Sequence, residues 1–222
     1  MANPSFTRDE AILLLDTYYS SNKNRLPEKS DEILSLSRLL KSLPIHFEEF
    51  KETPTFRSNS GIAQQLSGFL RSCIRGEKDP NVGKIFFEVA YEYEDRISLL
   101  HRVADAIRRN RGHYNVPFGS DMEDYGFPEG VLLGHLHHII ENKAAKTIDK
   151  DTKCAVCSLN PGLVYNTERN YLELHLLIPP EDLDANIKYG KEKFLTVCPT
   201  CHKALHCIRP WCNKDDYLKV LR

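Results

Sequence analysis

Four cysteines in two close pairs, Cys154-Ala-Val-Cys157 and Cys198-Pro-Thr-Cys201, carry the strongest chemical signal in the chain. A tetrahedral zinc site of four thiolates needs two short turns that each present two sulfurs, and CxxC spacing supplies them. Forty residues separate Cys157 from Cys198, a costly loop unless the site closes it, so the sequence predicts a structural Zn²⁺ that holds this region folded. The competing reading is four unrelated cysteines buried in a reducing compartment.

Histidines follow the second pair directly. His202 and His206 are four apart, so a helix starting there stacks them on one face. His175 lies in an apolar run, Tyr171 to Pro179, that reads as a strand and would bring it across to them. Three imidazoles converging outside a closed thiolate cluster imply a second divalent ion with open coordination positions. The plainer alternative leaves His202 and His206 solvated on a short helix. Glu173 shares a strand face with His175, either as a partner to the site or as a solvated carboxylate. His135, His137 and His138 do not all share one helical face, and no acidic or thiol partner is adjacent. They are expected on a partly exposed helix face, away from any metal.

Leu172-Glu-Leu-His-Leu-Leu-Ile-Pro179 followed by Val197-Cys-Pro-Thr-Cys-His-Lys-Ala-Leu-His206 resembles an HNH nuclease domain of the zinc-stapled McrA-type restriction branch. The resemblance covers roughly residues 150–212. It implies a ββα-metal fold, in which a β-hairpin and a helix grip one divalent ion against the scissile phosphate. His175, His202 and His206 would hold that ion, Mg²⁺ or another divalent cation, apart from the structural Zn²⁺ on Cys154, Cys157, Cys198 and Cys201. Two positions depart from the family pattern. The general-base histidine is replaced by Leu176, and the middle Asn or Asp by Lys193. Leucine neither takes a proton nor orients water, and losing a general base forfeits roughly 10²–10⁴ in rate. The resemblance thus implies a restriction-type DNA endonuclease of bacterial defence, impaired in this version. Its alternative is a non-catalytic zinc-stapled DNA-binding protein derived from such a nuclease. Phe56-Arg-Ser-Asn-Ser-Gly-Ile-Ala-Gln-Gln-Leu-Ser-Gly-Phe69 more loosely resembles a motif found before HNH domains in predicted bacterial restriction proteins.

The remainder of the chain must position this region. With 222 residues there is room for one large or two small domains. The reading places a helical recognition or sensing domain at 1–115, a linker and connecting helix at 116–149, and the HNH domain at 150–222. The fold class is a mainly α N-terminal domain plus a small α+β ββα-metal domain. Formal net charge is −1, so no overall basic field announces nucleic acid. Arg102, Arg108, Arg109 and Arg111 at the end of one helix are the candidate DNA contacts, set against the ordinary preference of cations for a helix C-terminus. Duplex DNA, modified or not, is the expected partner, and a homodimer is expected by analogy. The start Met1-Ala-Asn-Pro-Ser carries no apolar signal segment, and no apolar run is long enough to span a bilayer, which predicts a cytoplasmic protein.

Thr7-Arg-Asp-Glu10 reads as a capping box opening an amphipathic helix to about Ser21. Ser30 caps a second helix, to about Ser42, and a third follows Asn59-Ser60-Gly61 and closes at Gly76. The segment 47–55 is expected to be irregular. Residues 81–110 read as two helices or one bent near Tyr93. Gly130 to about Ile148 forms a connecting helix, and Lys214 to Leu221 a last short one. Cys73, Cys207 and Cys212 are assigned to packing.

Overall fold

The computed structural model describes residues 3–113, 131–144, 148, 151–165 and 171–207. It is mostly helical, with one small two-stranded sheet and four cysteines close together. The loop expected at 116–129, Cys212 and the helix expected at 214–221 lie outside the described residues. Two compact units divide the chain: Met1–Glu123 with Gly130–Leu132, and Asp124–Glu129 with Leu133–Arg222.

The first unit is built on α1 (Arg8–Ser20), packed by α2 (Asp31–Ser42), α4 (Asn59–Arg75), α5 (Lys84–Glu92) and α6 (Ile97–Asn110), with a short α3 (Glu48–Lys51) where irregular chain was expected. The capping box forms as read: Glu10 N–H donates to Thr7 Oγ1 and Thr7 N–H to Glu10 Oε2. Amphipathicity was the wrong expectation for α1. Ala11 to Leu15 are all fully buried, and Arg8, Asp9, Glu10 and Asp16 are buried with them. A run of four consecutive large apolar residues, Ile12 to Leu15, wraps the whole helix circumference, so no turn is left polar throughout. Burying each such side chain contributes roughly 1.5–3 kcal/mol, which makes α1 the axis of this unit.

Of the two readings for 81–110, two helices is the one observed: the chain separates at Tyr93–Arg96 into α5 and α6. On α4, Ser58 rather than Asn59 caps the start, and Gly76 ends it at φ 71°, a left-handed turn that costs glycine little. Cys73 is exposed and Ser72 is buried in its place, a correction to the stripe expected on this helix.

The second unit contains most of α7 (Val131–Ala144), the one-turn α8 (Pro161–Tyr165), a hairpin and α9 (Pro199–Cys207). β1 (Glu173–Leu176) and β2 (Phe194–Val197) pair antiparallel, with Glu173 opposite Val197 and His175 opposite Leu195. Its small core joins Cys154, Leu172, Val197, Cys198, Cys201 and Leu205. Cys207, assigned to packing from the sequence, is exposed at the end of α9.

Candidate metal centre

Both cysteine pairs sit on tight turns, one before the hairpin and the other at the start of α9. Cys154 N–H donates to Leu159 O at 2.8 Å, and Ser158 N–H returns to Cys154 O at 2.9 Å. Ser158 takes φ 62°, which folds the chain back after Cys157. Ala155 N–H donates to Thr196 O at 2.9 Å, fixing the first turn to the end of β2, from which Cys198 follows directly. Cys157 Sγ and Cys198 Sγ come within 3.7 Å, and all four sulfurs lie within 4.8 Å of one another. Backbone N–H groups aimed at Cys154 outweigh burial and bring its thiol down to about 7. Four thiols at this spacing on two turns could hold one tetrahedral Zn²⁺, as expected.

Beside the hairpin lies a second group of donors. His175 comes from β1, and His202 and His206 from consecutive turns of α9. The ring centroids of His175 stand 5.3 Å from His202 and 4.9 Å from His206, so the three imidazoles expected to meet do converge. They are 1%, 9% and 5% exposed, which makes the centre closed rather than a solvated helix face.

The sequence reading missed two members. His137, expected on a partly exposed face, is fully buried, with its ring 5.1 Å from that of His206. Glu141, one turn further along α7, is also buried and sits at the middle of the group. Its carboxylate oxygens lie 3.0 Å from His137 Nδ1, 3.2 Å from His202 Nε2, 3.5 Å from His175 Nδ1 and 3.8 Å from His206 Nε2. An acid four residues after a histidine shares its helical face, and that spacing was the signal available in the sequence. His138 is exposed and His135 half-buried, so neither joins the group.

Burial pushes the Glu141 carboxyl up, but the four imidazoles around it reverse this and hold it well below the ordinary carboxylate range. Burial takes His175 down to about 4, only partly opposed by Glu141, so its ring is neutral and carries a free-electron-pair nitrogen. For His202 burial is outweighed by Glu141 and Glu173, and its value is raised. Glu173 Oε2 lies 2.7 Å from His202 Nδ1, which leaves Nε2 turned inward, 3.1 Å from His206 Nε2. A carboxylate on the outer nitrogen of a histidine is the arrangement that orients metal-binding imidazoles.

Leu176 is fully buried, and its N–H donates to Glu141 Oε1 at 2.8 Å. Lys193 is exposed on the turn before β2, and its carbonyl accepts from Leu177 N–H. In the first unit the guanidinium of Arg108 is committed to Asp16 and to Asp105, so it is not an open phosphate contact. Arg102, Arg109 and Arg111 are exposed. The paired residues Phe56 and Arg57 of the looser motif are buried in the first unit, where they serve its core.

The second donor set is rich in imidazole. Such sites suit Zn²⁺, Co²⁺ or Ni²⁺, whereas Mg²⁺ takes oxygen ligands and keeps several waters. The expectation of Mg²⁺ is therefore not supported by these residues. No helix among the described residues is long and apolar enough to cross a membrane. Comparison with known proteins returns no match, whether to a family model, a curated protein or a solved structure.

Proposed function

We propose that the chain is an HNH-type DNA endonuclease of the zinc-stapled restriction branch, silenced at its general-base position. One observation carries the reading: a hairpin and the helix after it present His175, His202 and His206 to a common centre, next to four thiols on two turns. When bound at that centre, a divalent ion supplies Lewis-acid stabilisation of the charge that develops on a phosphodiester. The chain's own residues set the rest. Glu173 holds the His202 ring by its outer nitrogen. Leu176 occupies the place of the base and provides no proton acceptor. The first unit selects the DNA target, and two chains pair so that both strands are cut.

Burial of the histidine centre favours the second reading, a non-catalytic module of the same descent that binds DNA without cutting it. One comparison separates them. The protein and its Leu176→His variant are each incubated with methylated and unmethylated plasmid and with Zn²⁺, Mn²⁺, Ni²⁺ or Mg²⁺. Restored general-base catalysis raises cleavage by at least about 100-fold in the variant, with its circular dichroism unchanged. Salt-sensitive DNA binding with no cleavage by either protein selects the binding module. Absence of salt-sensitive DNA affinity refutes both.

A further inference from the structure

We infer that α7 supplies two ligands, His137 and Glu141, to the ion at the histidine centre, and that the bound ion staples α7 to the hairpin and α9. This rests on reading the second unit as a metal-binding module, and it revises the trio that the HNH resemblance implies: His137 and Glu141 join His175 and His206, and His202 stands beside them.

The donor atoms of His137, Glu141, His175 and His206 all lie within 4.8 Å of one another, and all four residues are buried. They come from three separate elements: α7, β1 and α9. Neither ring nitrogen of His137 is aligned for a hydrogen bond, and neither is Oε2 of Glu141, although their neighbours lie at close range. Buried polar atoms cost free energy when they face one another without pairing. A cation at their centre turns that cost into coordination. Three imidazoles and one carboxylate match the borderline ions of the zinc class in both ligand type and number. His202 stands beside this set, held by Glu173 from outside and lying 3.2 Å from Glu141 Oε2.

Spacing on α7 serves the same end. His137 and Glu141 are one turn apart on a face that also buries Leu133 and Leu136 alongside. Glu141 in addition accepts from Leu176 N–H, so its carboxylate is already fixed to β1. The ion then closes a ring of contacts from helix to strand to helix. A Zn²⁺ ion held by these four ligands would accept a phosphate oxygen only by expanding to five-coordinate, as catalytic zinc does.

The test uses the full chain and Zn²⁺ alone. Long-range ¹⁵N–¹H spectra of the histidine rings are recorded on metal-free protein and after one and two equivalents. The expected result is that the second equivalent moves a ring nitrogen of His137 into the metal-bound range, together with those of His175 and His206. Amide hydrogen exchange in α7 slows at least 10-fold at the same step. In Glu141→Gln and His137→Gln the second site weakens at least 10-fold, while the thiolate site, read by the sulfur-to-cobalt absorption of Co²⁺-loaded protein, stays filled. A second equivalent that shifts only His175, His202 and His206 in the wild-type protein overturns the inference, whatever the variants do, and leaves the proposed function standing. Coordination of His137 in a protein with no DNA affinity does the reverse.

Discussion

Each unit buries one glutamate beside histidine, and the two are satisfied in opposite ways. In the first, Glu10 is fully buried and meets Arg57 Nε at 2.5 Å, Arg57 Nη2 at 2.7 Å, His46 Nε2 at 3.2 Å and its own cap N–H from Thr7 at 2.8 Å. Arg57 spends its remaining donors on the Pro4 and Ser5 carbonyls and lies over the rings of Phe6 and Phe56. A permanent cation is part of the chain there. In the second unit Glu141 is enclosed by four imidazoles, with neither Arg nor Lys among the described residues paired to it. Imidazoles reach neutrality near physiological pH, and here burial drives His175 to that form. The difference teaches that a buried carboxylate calls for positive charge. The first unit encodes a permanent cation in Arg57; the second surrounds Glu141 with titratable imidazoles, His202 among them with its value raised, and on our proposal it takes an ion from solution.

Stripping metal should separate the units most sharply. Structural Zn²⁺ contributes about 10–16 kcal/mol of apparent binding free energy in small zinc-dependent folds. A strong chelator is therefore expected to abolish hydrogen-exchange protection in β1, β2 and α9 while leaving α1 and α4 protected. Equal loss in both units would remove the contrast. Replacing the internal cation comes next. Arg57→Met leaves Glu10 buried without its partner, and breaking such a pair costs about 3–5 kcal/mol. Urea unfolding of the first unit should show that loss, with the metal content of the second unchanged.

Acid gives the smaller effect. Burial pushes the Glu10 carboxyl up, but His46 and Arg57 overcome it and leave it below its ordinary value of 4.5. The folded state thus holds the carboxylate ionised where the unfolded chain would protonate it. The stabilisation is complete above about pH 4.5 and is lost progressively as pH falls below it. A Glu10→Gln variant should be less stable at neutral pH and should lack this part of the acid dependence. A variant with the same acid slope as the parent would assign the titration elsewhere.

Much of the local structure could be read in advance because its signals are short. The two CxxC turns, the Thr7–Glu10 capping box and the separation near Tyr93 each depend on residues within one or two turns of one another. His175, His202 and His206 were legible because strand and helix periods orient them. The α7 contribution is hidden in the sequence because His135, His137 and His138 do not share one face, and the acid that completes the group, Glu141, lies a full turn beyond His137. What joins Glu141 to Leu176 is a contact 35 residues apart, which periodicity cannot supply. Cys73 shows the opposite limit. One residue along a helix turns the side chain by about 100°, enough to bury Ser72 and expose its neighbour.

The central claim is that the C-terminal unit is organised by two separate metal centres, one of sulfur and one of imidazole and carboxylate. Native mass spectrometry of the full chain, refolded with a limiting series of Zn²⁺ and with all cysteines reduced, measures this directly. The account predicts a final state of two ions per chain, with one ion, on the thiolates, remaining in a chain carrying both His137→Gln and Glu141→Gln. A folded chain that takes up no ion, or one whose uptake stops at the thiolates, would contradict it.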